Sequence, residues 1–201
     1  MKICVAGWYF RPSLFEAVAH SGFESFVVKH REGNTCGLPS ALYENVGLEF
    51  GAYRKYVENH WDGESDVFFM HDDAIVSDLS AFNDIASLDD RGVDQAYIFH
   101  DENDEMVNGG AHGRGIWIRG SVLAQLKDDF PADMTNAGVN IGLKAQEGIL
   151  AFHKRIVSLT PNTAVIAIVP TIRFAHRGRL HENMFVYRKM RPVPGGRVNV
   201  G

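Results

Sequence analysis

The chain has 201 residues and a mass of 22.4 kDa, a length that buries roughly 70% of its unfolded surface in one core and predicts a single domain over residues 1–201. Hydrophobic residues at 45% and charged residues at 22% exclude a disordered or fibrous chain, and 13 Phe, 6 Tyr and 3 Trp promise a substantial core or a stacking site. A net charge of −5 excludes a uniformly basic coat for nucleic acid, although not a local basic patch.

Residues 2–6 read as a buried first strand, with Gly7 where it hands over to a loop. Pro12 and Ser13 introduce Leu14, Phe15, Val18 and Ala19, whose three- and four-residue spacing predicts a short helix ending near Gly22. A second strand is predicted at 25–29 and a polar loop at 30–40. Tyr53, Tyr56, Val57 and Trp61 then mark a helix over 48–61. The run 66–70 is apolar after Asp66, suits a strand covered on both faces, and stops at His71-Asp72-Asp73. A helix at 78–87, a strand at 96–99 and a polar segment at 100–112 follow. Beyond them the pattern gives a strand at 115–119, helices at 121–126 and 139–153, and a last buried strand at 164–169. Strand and helix alternate, which argues for an α/β fold around a mainly parallel or mixed sheet.

No repeat or low-complexity tract is present. The opening MKICVAGWYF lacks the apolar core and small-residue site of a secretory signal, and no apolar run approaches the length of a membrane span. Cys4 and Cys36 are too few for a disulfide framework and wrongly spaced for a zinc knuckle, so reduced thiols in a cytoplasmic protein are the expectation.

The strongest local feature is the pair Asp72 and Asp73 beside His71. Adjacent carboxylates at the end of a buried strand repel each other and are costly to desolvate. A divalent cation relieves that cost, and hard oxygen ligands suit Mg²⁺ or Mn²⁺. The same residues also suit a solvated turn in which Asp72 or Asp73 caps the next helix.

Upstream stands Asn45-Val-Gly47-Leu-Glu49-Phe-Gly51-Ala52-Tyr53, then the predicted helix, then the strand ending in His71-Asp72-Asp73. This succession resembles glycosyltransferases of the GT-A fold, in which an Asn-x-Gly segment leads through a helix to an Asp-x-Asp strand. The resemblance implies a GT-A-like three-layer α/β/α domain with a mixed, mostly parallel central sheet. It implies Asp73 as a direct metal ligand, Asp72 near the ribose or donor sugar, and Asn45 among the nucleotide contacts. His71 replaces the first Asp of the family motif and falls on the nucleotide side.

Three further segments resemble the same enzymes. Val107-Asn-Gly109-Gly110-Ala-His-Gly113-Arg-Gly115-Ile-Trp117-Ile-Arg-Gly-Ser121 looks like the glycine-rich acceptor segment of fringe-like and related β-1,3 transferases. Backbone without Cβ lets a ligand come close, and Trp117 is suited either to a sugar face or to the core. Phe130-Pro131-Ala132-Asp133-Met134-Thr135 is similar to their Pro-Asp-Asp-x-Thr segment with the first acid replaced. It implies Asp133 as the base that deprotonates the acceptor; a helix cap is the other reading, and Asp101, Glu102 and Asp104 are rival bases. Phe174-Ala-His176 resembles the C-terminal position of a metal-ligating His, for which His181 competes. Arg173, Arg177 and Arg179 carry the guanidinium fork that suits diphosphate oxygens.

Charge is divided unevenly along the chain. Residues 171–201 carry a net +6 and the preceding 170 residues −11. Such a tail suits a diphosphate, an anionic membrane or nucleic-acid phosphates. The sequence therefore predicts a glycosyltransferase dependent on Mn²⁺ or Mg²⁺, moving a sugar from a nucleotide-sugar donor to an acceptor hydroxyl. A saccharide or glycoconjugate is the favoured acceptor, and a modified DNA base would suit the basic segment. The same acids would serve a metal-dependent phosphoesterase or nuclease. The replacements at His71 and Ala132 would suit a non-catalytic nucleotide-sugar-binding domain.

Overall fold

The apolar runs that begin the chain form the middle of a sheet. A computed structural model describes residues 1–97, 115–128, 155, 158 and 159, together with the backbone of strands at 164–167, 172–176, 179–181, 187–192 and 198–200. The predicted helix at 139–153 and the polar segment at 100–112 lie outside the described residues. Strand β1 (Lys2–Gly7) pairs in parallel with β2 (Ser25–Lys29) on one side and with β4 (Val67–His71) on the other. Beyond β2 lies β3 (Ser40–Leu42), also parallel. Beyond β4 come β7 (Gly115–Ile118), β6 (Gln95–Tyr97), β8 (Ala164–Ala167), β11 (Tyr187–Pro192) and β12 (Val198–Val200).

The described strands of this sheet follow the order β12-β11-β8-β6-β7-β4-β1-β2-β3. Strand β7 runs antiparallel between β4 and β6, and β11 opposes its neighbours; the remaining strands share one direction. The sheet is thus mixed and mostly parallel, as expected. A second, antiparallel sheet has the order β10-β9-β5 and joins β5 (Ala74–Val76) to β9 (Ile172–His176) and β10 (Arg179–His181).

Alternation along the strands sorts the core into two faces. Ile3, Val5, Phe68 and Met70 pack with Leu14, Phe15 and Val18 of α1 (Pro12–Ala19) and with Phe82 and Ile85 of α3 (Ser80–Ala86). Cys4, Ala6, Val67 and Phe69 face the other way, onto Phe50, Tyr53 and Tyr56 of α2 (Leu48–Asn59) and Leu123 and Leu126 of α4 (Gly120–Leu126). Helices on both faces make the three-layer α/β/α arrangement. Each large apolar side chain so buried contributes roughly 1.5–3 kcal/mol. Trp117 is fully buried in the α1/α3 face, so the sugar-stacking role open to it in the sequence is corrected to a core role.

The chain departs from the predicted elements where strands are short. The loop predicted at 30–40 runs into β3, and β5 occupies only three residues. The strand at 164 is not the last, because β9 to β12 follow it. Runs such as YRKMRP in β11 carry no apolar alternation, and their partner strands decide their conformation. Among the described residues, no helix is long and apolar enough to cross a membrane.

Candidate functional site

Strands β1 and β4 are neighbours, but the chain leaves β1 through α1 towards β2, on the opposite side. Such a reversal opens a crevice at the carboxyl ends of parallel strands, where ligands of α/β proteins bind. A cleft of about 330 Å³ lies there. Its floor is Ala6 and Gly7 at the end of β1, and His71 borders it from the end of β4. Trp8 and Tyr9 form one wall, and Asn45, Leu48 and Glu49 at the start of α2 form the other. His30 completes the lining, and its Nε2–H donates to the Leu48 carbonyl at 3.0 Å.

The glycines of the 45–53 segment have a local cause. Gly47 at φ +87° enters α2 in the left-handed region, and Leu48 follows at φ +53°. This entry brings the Val46 carbonyl onto the helix so closely that a Cβ at Gly51 would lie 1.6 Å from its oxygen. Only glycine fits there. The turn sets Asn45 beside the cleft, where its buried Oδ1 has no hydrogen-bond partner.

The acids sit behind His71. Asp72 and Asp73 are 0% and 1% exposed, and His71 Nδ1 stands 3.0 Å from Asp73 Oδ1 and 3.6 Å from Asp72 Oδ1. Burial pulls the His71 imidazole down, but the hydrogen bond to Asp73 and the charges of Asp73, Glu49 and Asp72 outweigh it and raise its pKa. Burial pushes the Asp72 carboxyl above its ordinary value, against the opposing pull of His71 and three backbone amides. Those amides belong to Trp8, Tyr9 and Phe10, which donate to Asp72 Oδ2 at 2.8, 2.6 and 2.7 Å. Neither Asp72 nor Asp73 caps the next helix; the amide of Ser80 donates to Asp78 Oδ1 instead.

The donor chemistry of this end of the sheet suits a divalent cation. Two carboxylate oxygens converge on the position of His71 Nδ1, and Asp72 Oδ1 is buried without a hydrogen-bond partner. Among the described residues, however, no three such side chains have metal-holding spacing. Strand β9 approaches from the tail. Phe174 pairs with Ala74 in antiparallel register, and His176 lies two residues further along β9. His176 itself pairs with Arg179 of β10, Arg173 is opposite Ile75, and His181 is opposite Phe174. Asp133, its rivals Asp101, Glu102 and Asp104, and Arg177 lie outside the described residues, as does the glycine-rich segment before Gly115.

Sequence reasoning passed over Trp8, Tyr9 and His30, although a signal for the first two was present. They follow Gly7 at the end of the first buried strand, as Asp72 and Asp73 follow His71 at the end of β4.

No protein-family model matches the chain, and no curated protein matches it. Its fold does have a solved counterpart. A protein from Bacillus anthracis assigned as a glucose-1-phosphate thymidylyltransferase, in complex with a sucrose, superposes with a TM-score of 0.55 and 8% identity over 87% of this chain and 89% of that one. The two share a fold. At this identity the likeness concerns architecture alone.

Proposed function

We propose that the chain is a glycosyltransferase that uses a nucleotide-sugar donor and Mn²⁺ or Mg²⁺. The observation that carries the reading is the aromatic-walled cleft at the carboxyl ends of β1 and β4, next to two buried carboxylates. Among the described residues, no Lys or Arg lines that cleft. An uncharged, flat nucleoside suits its wall, whereas a diphosphate beside Asp72 and Asp73 needs a cation between them.

In this reading the nucleoside stacks on Trp8 and Tyr9, and Asn45 offers its side-chain amide to the base. Asp73 and His176 would hold the metal, which when bound neutralises charge on the departing diphosphate. Arg173 and Arg177 assist at the diphosphate, and Asp133 takes the proton from the acceptor hydroxyl. A saccharide or glycoconjugate is the acceptor class. A thermal-shift screen of nucleotide sugars with and without Mn²⁺ tests the assignment. A rise in melting temperature that needs both ligands is expected; no rise with any nucleotide sugar would end it.

A second reading draws on the solved counterpart, which is assigned to nucleotidyl transfer. The same cleft would then build a nucleotide sugar from a nucleoside triphosphate and a sugar 1-phosphate. The products separate the two: nucleotidyl transfer releases inorganic diphosphate, and glycosyl transfer releases a nucleoside diphosphate.

A further inference from the structure

One carboxylate holds the loop that forms the cleft's aromatic wall. Asp72 Oδ2 accepts from three consecutive amides, those of Trp8, Tyr9 and Phe10, at 2.6–2.8 Å. Aiming three successive N–H groups at one oxygen requires the backbone to curl, and Phe10 adopts φ +56° to complete the turn. The concavity is an anion nest, and its anion is a side chain of the protein.

The outside of the loop is braced as well. The Phe10 ring packs against Phe15 with centroids 6.0 Å apart, and it fills the space where a Cβ at Gly33 would come within 2.2 Å. The Arg31 guanidinium lies 5.3 Å from the Trp8 ring and 5.9 Å from that of Phe10. Held from both sides, the loop still presents Trp8 and Tyr9 at 37% and 52% exposure, lining the cleft. Asp72 does not line the cleft and is fully buried.

We propose that Asp72 is a positioning residue, acting through the amides of Trp8, Tyr9 and Phe10 to hold the wall on which the ligand's ring stacks. Within the acid motif, the two carboxylates thus have different duties. Asp73 serves the diphosphate and its cation, and Asp72 serves the nucleoside through the loop. The inference rests on reading the cleft as a nucleoside diphosphate site.

The test compares Asp72→Asn, Asp72→Ala and Asp73→Ala with the unaltered chain. Hydrogen exchange of the residue 8–10 amides in the ligand-free protein reads the loop directly. Calorimetry without metal reads the affinity for the five common nucleosides and their 5′-diphosphates. Asn retains the shape of Asp but only one accepting oxygen and no charge, so Asp72→Asn covers the case in which Asp72→Ala fails to fold. Loss of hydrogen bonds to a charged acceptor is expected to speed exchange at residues 8–10 by about tenfold or more. Exchange in β1 and β4 should hold.

Affinity for the plain nucleoside and for its diphosphate should fall by the same factor in the Asp72 variants. Asp73→Ala should leave exchange at residues 8–10 unchanged. Unaltered exchange at residues 8–10 in Asp72→Asn would overturn the proposal. So would a loss confined to the diphosphate form, which would make Asp72 a contact of the phosphates or their metal. If the unaltered protein binds no nucleoside and no diphosphate, the reading of the cleft fails, and the role proposed for Asp72 falls with it. Exchange would then separately report whether Asp72 holds the loop.

Discussion

The two ends of β1 and β4 both hold acids against backbone amides and a basic side chain, but only one end opens onto a cleft. At the amino-terminal end, Lys2 Nζ lies 2.8 Å from Glu24 and 3.2 Å from Asp62. Asp62 also accepts from the amides of Glu64 and Ser65 and from the Ser65 hydroxyl, and Asp66 accepts from the amide of Gly120 at 2.8 Å. Each of these acids meets a donor or a cation within the fold. At the carboxyl end, Asp72 and Asp73 are buried beside a cleft that no Lys or Arg among the described residues lines, and Asp72 Oδ1 lacks a hydrogen bond. One end closes the sheet. The other buries its acids against His71 and three loop amides at the edge of an open cleft.

Variants at the two ends should therefore separate stability from binding. The largest effect is expected at the closed end, where a Cβ at Gly120 would lie 1.8 Å from the Glu64 carbonyl oxygen. Backbone cannot yield as a flexible side chain does, so Gly120→Ala should lose on the order of 3 kcal/mol in urea unfolding. Nucleotide binding by the fraction still folded should be unchanged. An unaltered urea midpoint would show that this end is looser than its geometry.

At the open end, Asp73→Ala should abolish the Mn²⁺-dependent thermal shift by nucleotide sugars, a loss of about 100-fold or more in affinity. Its melting temperature without ligand should stay within a few degrees. Retention of the metal-dependent shift would remove Asp73 from the site. Next in size, Trp8→Ala should weaken nucleoside binding by roughly 5- to 10-fold, about 1–1.4 kcal/mol, by removing a stacking face. Its side chain is 37% exposed, so the urea midpoint should move little. An equal loss of stability and affinity would make Trp8 a structural residue.

The smallest effect belongs to Asp62. Burial opposes ionisation, but the Ser65 hydroxyl, the Ser65 and Glu64 amides and Lys2 together hold its carboxyl well below the usual carboxylate range. A group whose folded pKa is depressed contributes stability above its unfolded value and loses it as pH falls through the folded one. Asp62→Asn should thus cost about 0.5–1 kcal/mol at neutral pH, with the difference from the unaltered chain shrinking below about pH 4. A difference that persists unchanged to low pH would show that shape, and not charge, is at work there.

Much of the frame was legible from pattern. The runs at 2–6, 25–29 and 66–70 became β1, β2 and β4, and the spacing of Leu14, Phe15 and Val18 became α1. Continuous apolar segments carry their own reason to be buried, so they declare themselves locally. Strands β3 and β5, three residues each, do not, and neither does β11 with its Arg188, Lys189 and Arg191. Their conformation is decided by an edge to pair with. At the site, the acids stood out by type and spacing and Asn45 by the family resemblance, whereas the partnership of Asp72 with the loop joins residues more than 60 positions apart.

The sequence by itself determined an α/β chain, an acid pair at the end of a buried strand, and a glycine-bearing turn ahead of α2. Periodicity and side-chain chemistry are local properties, and they suffice for that much. The tertiary structure alone decided that β9 pairs with the strand that follows the acids, that Trp117 belongs to the core, and that Asp72 faces three amides. Each depends on which strands become neighbours. It is the sheet order, β4 beside β1, that brings the loop of Trp8, Tyr9 and Phe10 against Asp72.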